Sequence, residues 1–138
     1  MNVTIAAWLS TQLNSVSAQA GTVHQVSDGE LILSAAENIP ETVVDAIRRV
    51  PSGKGMAGLA WFRNEPIQIC NLQHDDNEAI QPGARSVQAG AAVALPVHDP
   101  DGVVRAIVGF AFSEERALTS AEAKQLQAIA ETLPKLVP

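Results

Sequence analysis

The sequence predicts an α+β fold, in which a central, mainly antiparallel sheet is flanked by helices. Hairpin turns join most of the predicted strands, and strands joined in this way run antiparallel. Apolar residues at helical spacing lie near both ends of the chain, so we expect the N- and C-terminal helices to pack on one face of the sheet. The length of 138 residues suits a single domain over residues 1–138.

The N-terminal elements are predicted to be a helix followed by a β-hairpin. Apolar residues recur at helical spacing over residues 3–19, and Gly21 is a natural helix stop. Residues 23–26 and 30–36 have the composition of strands. The Asp28–Gly29 pair between them is a strong signal for a tight turn, which predicts an antiparallel pairing.

The middle of the chain is predicted to contain a short helix and a short strand. Residues 40–50 are ambiguous, although Pro40 could open a helix there. Residues 55–62 favour a short helix, and residues 67–70 alternate like a strand. Residues 71–85 are polar and predict a long loop, of the kind that is often functional.

Two strands and a helix are predicted for the C-terminal part. Residues 88–97 are rich in alanine and valine and predict a buried strand, and residues 103–112 are expected to return beside it. The small Gly109 is expected to let a neighbouring segment approach closely. Residues 119–122 form a capping box, and the helix that they open should end at or near Pro134.

Composition and charge exclude several classes of protein. Hydrophobic residues make up 46% of the chain and charged residues 17%, which is enough for a core and too little charge for a disordered chain. The formal net charge of -6 opposes binding to nucleic acid. We see no membrane-spanning stretch and no secretory signal, so no membrane partner is expected. The single cysteine, Cys70, cannot form an internal disulfide, which favours a cytoplasmic location.

The order and spacing of several segments resemble the GAF family of sensory domains. The segments are a glycine-rich turn, a strand after a short helix, a buried strand that ends in Leu-Pro, the strand that follows it and a closing helix. They occupy Ser52–Gly58, Glu65–Ile69, Gly90–Pro96, Gly102–Phe112 and Thr119–Leu133. The resemblance implies an antiparallel sheet of about six strands, a ligand pocket on one face and dimerisation through the terminal helices.

The glycine-rich turn has two further interpretations. Residues 53–58 spell the G-x-G-x-x-G pattern of dinucleotide-binding loops, but no apolar strand precedes them and no parallel βαβ unit follows. We therefore interpret the pattern as a turn at a helix start. The turn also resembles that of the free methionine-(R)-sulfoxide reductase family, whose chemistry needs two thiols. Where that family carries a cysteine before the last glycine, this chain has Ala57, so we do not expect that activity.

Cysteine and histidine, the residue types considered for catalysis or metal binding, are few in this chain. Cys70 ends a predicted strand and is interpreted as a buried structural thiol, with a redox-sensing thiol as the alternative. Residues 74–76 (His-Asp-Asp) have metal-ligand types, but adjacent residues rarely face one ion, so we predict a solvated loop. His24 and His98 are isolated in the sequence. We expect no metal, no cofactor and no catalytic residue.

Candidate ligand-binding and interface residues follow from the resemblance. In the GAF arrangement the long loop covers the pocket, and Arg85 is a candidate contact for an anion, with a surface arginine as the alternative. The candidate ligand-binding residues are Trp61, Asn71, His74, Asp75, Arg85, Ser86 and Gln88. Trp61 could equally pack in the core. The candidate dimer interface is formed by Trp8, Leu9, Leu126 and Ile129.

These observations support a noncatalytic, cytoplasmic sensory domain that binds an unidentified small molecule. It would signal through a homodimer or through a separate signalling protein. The alternative is an interaction module whose pocket is closed, since residues 90–94 are rich in alanine and we recognise no ligand motif. A small thiol-dependent redox enzyme is the third hypothesis, and it depends on Cys70.

Overall fold

A six-stranded antiparallel sheet is the centre of the computed structural model, which describes residues 2–69 and 89–135. In chain order the elements are α1 (Val3–Val16), β1 (Ala20–Ser27), β2 (Glu30–Glu37), α2 (Glu41–Ala46), β3 (Arg49–Val50), α3 (Gly55–Arg63), β4 (Ile67–Ile69), β5 (Ala91–His98), β6 (Val104–Phe112) and α4 (Ser120–Ala130). The strand order is β3-β2-β1-β6-β5-β4, and each neighbouring pair is antiparallel. The predicted α+β class and antiparallel sheet are therefore confirmed.

Local caps determine where α1 begins and ends. The side-chain oxygen of Asn2 accepts a hydrogen bond from the backbone N–H of Ile5 at 2.9 Å, which satisfies a free donor of the first turn. The helix ends at Ser17, whose left-handed backbone (φ 58°) stops the helical path. The predicted continuation to residue 19 is wrong because Ser17 takes the cap position, and Gly21 already lies in β1.

The first hairpin forms as predicted. Asp28 and Gly29 have positive φ angles of 51° and 81°, which is the backbone that a tight turn between twisted strands requires. Ser27 pairs with Glu30 directly across this turn. Both strands are longer than predicted, because pairing with their neighbours extends to residues with weak local signals.

The ambiguous residues 40–50 divide between two elements. Pro40 precedes the short helix α2, and the chain then adds β3 to the edge of the sheet beside β2. α3 follows the predicted helix closely, and β4 includes the predicted strand as far as Ile69. Cys70 and the predicted loop over residues 71–85 lie outside the described residues.

The C-terminal elements confirm the predicted strands and capping box. The hydroxyl of Thr119 accepts from the N–H of Glu122, and the Glu122 carboxylate accepts from the N–H of Thr119, each at 3.1 Å. β5 begins at Ala91 rather than at residue 88. The helix ends at Ala130, so Pro134 lies beyond its end and does not stop it.

Different helices cover the two faces of the sheet. α1 and α4 pack together on one face, called here the terminal-helix face, as predicted. α3 packs on the opposite face, called here the α3 face, against a smaller buried cluster that includes Leu31, Ala94 and Ile107. No helix in the described part of the chain is long and apolar enough to cross a membrane.

Candidate functional site

A cleft of about 130 Å³ lies between α3 and the sheet. Much of its wall is formed by glycine and alanine, at Gly21, Ala57, Ala92, Ala94, Gly109 and Ala111. Two larger side chains form part of the remaining wall, Met56 at the start of α3 and Ile39 after β2. Small side chains leave space next to a sheet that is otherwise well packed, so the cleft is the candidate ligand site.

The alternation of side chains along β5 and β6 creates this space. Successive residues of a strand point to opposite faces, so residues two apart share a face. Ala92 pairs with Ala111, and Ala94 pairs with Gly109, so the small residues of the two strands lie side by side on the α3 face. The residues between them point to the terminal-helix face and fill its core.

Thr22 and Gly109 lie side by side at the floor of the cleft. They pair across β1 and β6, and a Cβ atom added to Gly109 would lie 2.8 Å from the Thr22 hydroxyl oxygen. The predicted close approach at Gly109 is therefore confirmed. Thr22 has the one polar side chain among the lining residues that the structure describes.

The glycine-rich turn positions α3 above the cleft. Gly53 and Gly55 have positive φ angles of 85° and 66°, and a Cβ atom at Gly58 would lie 2.7 Å from the carbonyl oxygen of Pro51. The glycines are thus required by the turn itself. β3, which precedes the turn, pairs antiparallel with β2, so the parallel unit of a dinucleotide site is absent from this part of the described chain.

Most of the predicted ligand contacts fall where the structure gives no description. Asn71, His74, Asp75, Arg85, Ser86 and Gln88 lie outside the described residues. Trp61 is partly buried against the cluster that contains Leu31 and Ile107, and it does not line the cleft. Its role as a ligand contact stays a prediction.

The predicted interface residues differ in how much surface they offer. Leu9 is fully buried and Leu126 is 6% exposed, because both side chains pack into the core of their own chain. Trp8 and Ile129 are only partly buried. The indole N–H of Trp8 donates to the Thr132 hydroxyl at 3.2 Å and so connects α1 to the residues after α4. A dimer through this surface stays a prediction, and Trp8 and Ile129 are its accessible members.

His24 is a buried polar group on the α3 face. Its side chain is 2% exposed, and its Nε2 lies 2.8 Å from the carbonyl oxygen of Ile47, to which the N–H donates. Nδ1 has no hydrogen-bond partner among the described groups. Burial lowers the pKa of His24, and the bond to Ile47 offsets only part of that effect. The imidazole is therefore kept neutral.

His98 connects the ends of two helices that cover opposite faces. Its Nδ1–H donates to a carboxylate oxygen of Glu131 at 2.9 Å, and its Nε2 lies 2.6 Å from the side-chain oxygen of Asn64. Asn64 ends α3 and Glu131 ends α4. Burial alone would raise the pKa of Glu131, but the hydrogen bonds from His98 outweigh this and lower it. His98, isolated in the sequence, thus has two side-chain partners in the fold.

Within residues 2–69 and 89–135, no cluster of three or more histidine, cysteine, aspartate or glutamate side chains is arranged to hold a metal ion. The lining of the cleft in the same residues contains no ionisable side chain. This part of the site can therefore enclose a molecule, and its described lining supplies no ionisable acid or base.

Sequence reasoning missed most of the lining residues, and an available signal would have found some of them. The alanine-rich start of β5 supported only the alternative of a closed pocket, whereas Ala92 and Ala94 line the cleft. The signal is an alternation of small and large residues along two predicted neighbouring strands. Such an alternation puts the small side chains on one face of the sheet and so indicates a cleft there. Thr22, Ile39 and Met56 have no comparable local signal.

Solved structures with the same fold include GAF domains and free methionine-R-sulfoxide reductases. The GAF domain of a phosphoenolpyruvate-protein phosphotransferase from Coxiella burnetii is similar, with a TM-score of 0.77 and 19% identity over 96% of this chain and 80% of that one. The free methionine-R-sulfoxide reductase from Neisseria meningitidis, solved with its substrate, has a TM-score of 0.72 and 15% identity over 94% of this chain and 72% of that one. At these low identities, the structural similarity establishes a shared fold.

Sequence comparison gives the family. No curated protein sequence matches the chain. A family model for the GAF domain matches residues 4–133, a range that includes every helix and strand described here except the first residue of α1. The match agrees with the six-stranded antiparallel sheet. The chain therefore belongs to the GAF domain family.

Proposed function

We propose that the chain is a noncatalytic, cytoplasmic sensory domain that binds a small molecule in the cleft beneath α3. The observation that carries the proposal is the cleft itself, in which alanine and glycine residues leave about 130 Å³ free beside a closely packed sheet. Well-formed apolar pockets with few polar groups are the usual sites of small-molecule binding. In an interaction module with a closed pocket, we would expect side chains to fill this space.

The lining of the cleft favours binding over catalysis. Ala57 stands where the reductase family that the turn resembles carries a cysteine, and Ala57 lines the cleft. A thiol-dependent cycle at this position would lack its nucleophile. Since enzymes share the fold, this argument comes from the lining residues and not from the overall similarity.

Native mass spectrometry tests the proposal on the freshly purified chain. We expect an additional mass that is lost on denaturation, which is the signature of a noncovalent ligand retained during purification. Ala92→Leu places a larger side chain in the cleft and should remove the additional mass. Ala128→Leu is the matched control, because Ala128 lies on an exposed position of α4, and it should keep the additional mass.

Two outcomes would contradict ligand sensing. One is an additional mass that Ala92→Leu retains, because the ligand would then bind elsewhere. The other is bare wild-type protein that no compound stabilises in a broad thermal screen, since a ligand of the folded state raises its stability. Bare chains that assemble as a clean dimer would favour the interaction module instead.

The output of the domain is proposed to pass through association of the terminal helices, either with a second copy or with a separate signalling protein. The supporting observation is that Trp8 and Ile129 keep exposed surface on the helices that cover one face. Trp8→Ala should lower the dimer fraction seen by native mass spectrometry. Val3→Ala, at a residue of α1 that is 83% exposed, is the control. Unchanged assembly of Trp8→Ala would exclude this surface as the interface.

A further inference from the structure

We infer that the ligand of the cleft is a small, uncharged, largely apolar molecule with one hydrogen-bonding group, an inference that rests on the proposed function. Three properties of the described lining lead to it, namely its volume, its lack of charge and the position of a single hydroxyl. Each property restricts the ligand in a different way.

The volume limits the size of the group that the cleft can enclose. The cleft offers about 130 Å³. An engineered apolar cavity of about 150 Å³ in another protein binds benzene, which gives a scale for this space. A single substituted ring, or an aliphatic molecule of similar size, therefore fills the cleft, whereas a nucleotide would extend far outside it.

The absence of charge from the described lining disfavours a ligand whose charged group enters the cleft. The lining side chains that surround the space, such as Met56, Ala94 and Ile107, are apolar. A carboxylate or an ammonium group that enters loses its hydration and finds no opposite charge, which is far more costly than burying a neutral polar group. The walls thus favour neutral molecules over ions of the same shape.

Thr22 supplies one directional contact. Its hydroxyl can donate one hydrogen bond and accept two, and within residues 2–69 and 89–135 the structure gives it no partner. Gly109 lies directly beside it on β6. Because glycine has no side chain, a ligand can approach the Thr22 hydroxyl from this side. A neutral polar group on the ligand, such as an amide, a hydroxyl or a carbonyl, matches this contact.

The methionine methyl groups give a direct readout. The chain has two methionines, Met1 and Met56, and Met56 lines the cleft. In full-length protein labelled with methyl-13C methionine, the Met56 signal is assigned as the one that Met56→Leu removes. The probes are toluene, benzamide and benzoate. Benzamide and benzoate have nearly the same shape and differ in charge at neutral pH, while toluene lacks the polar group.

We expect benzamide and toluene to shift the Met56 signal in a saturable way, and benzoate to bind at least about tenfold more weakly than benzamide. Thr22→Val should weaken benzamide roughly 2- to 10-fold, the effect of one lost hydrogen bond, and leave toluene unchanged. Thr11→Val, on an exposed position of α1, is the control and should leave both affinities unchanged.

Three results would overturn the inference. Benzoate that binds as tightly as benzamide would mean that the cleft takes an anion, for example at the first turn of α3, and would leave the proposed function intact. A Met56 signal that none of the three probes shifts would exclude this ligand class, while the co-purified mass tests the proposed function separately. Equal weakening of toluene and benzamide by Thr22→Val would show that Thr22 acts through shape rather than through a hydrogen bond.

Discussion

The two faces of the β5–β6 pair differ in the size of the side chains that they present. On the terminal-helix face the strands carry large side chains, at Val93, Leu95, Val108 and Phe110. On the α3 face, at the alternate positions, they carry Ala92, Ala94, Gly109 and Ala111. One pair of strands therefore builds a filled core on one side and a cleft on the other.

This difference separates the residues that should supply most of the stability from those that line the proposed ligand site. Large apolar side chains that interdigitate with α1 and α4 remove the most surface from water, so the terminal-helix face should supply most of the stability. The α3 face gives up part of that packing and leaves the cleft. Substitutions on the two faces are therefore expected to have different consequences, which the following changes test.

The largest effect is expected on the terminal-helix face. Leu9→Ala removes a fully buried side chain of α1 and should lower the free energy of unfolding by about 2–5 kcal/mol, through lost burial and the cavity that remains. Urea unfolding followed by circular dichroism measures the loss. Val3→Ala, on the exposed side of the same helix, should change stability by less than about 0.5 kcal/mol.

The protein concentration in the Leu9 experiment distinguishes core packing from a dimer interface. Leu9 was also predicted as an interface residue, yet its side chain is buried within its own chain. If the loss of stability were the same at low and high protein concentration, it would come from the core. A loss that shrinks on dilution would instead place Leu9 in an interface, because the wild-type protein then also loses the stabilisation that association supplies.

A smaller effect is expected on the α3 face, and it should depend on one neighbour. Gly109→Ala brings a Cβ atom to 2.8 Å from the Thr22 hydroxyl oxygen, with the next contact at 3.9 Å. Overpacking of this kind costs about 1–3 kcal/mol. In a Thr22→Ala background most of this cost should disappear, and a double-mutant cycle of urea unfolding measures the coupling. Additive costs would mean that the strain arises from another contact.

The local parts of the fold could be predicted because each depends on neighbouring residues. Asp28–Gly29 specifies its turn through backbone angles, and Thr119 and Glu122 specify a helix start through two mutual hydrogen bonds. Helix α1 was predicted too long, since a serine in the left-handed conformation carries little signal in a sequence.

The candidate site could not be predicted in the same way because its residues are distant in sequence. The cleft joins Thr22, Met56, Ala92 and Gly109, which carry no chemical signature of a ligand site. The three strand residues meet through the register of the sheet, and Met56 reaches them because α3 packs on that face. The residues that sequence reasoning favoured have conspicuous polar types, and most of them lie outside the described residues.

The smallest effect concerns His24, the buried polar exception on the α3 face. Burial lowers its pKa below the ordinary value of 6.5, so the unfolded chain binds a proton that the folded chain excludes. The free energy of unfolding should therefore fall as the pH drops below about 6.5 towards the lowered value. His24→Gln does not titrate and keeps an N–H donor for the carbonyl of Ile47, so its stability should fall less between pH 7 and about 5. Glu122 and Glu131 also have lowered pKa values, but their protonation changes the free energy of unfolding only near and below their ordinary pKa of 4.5. That range lies outside this pH window. Parallel urea midpoints for the two proteins across the window would mean that His24 is already accessible to protons, and that the α3 face is open to water at this position.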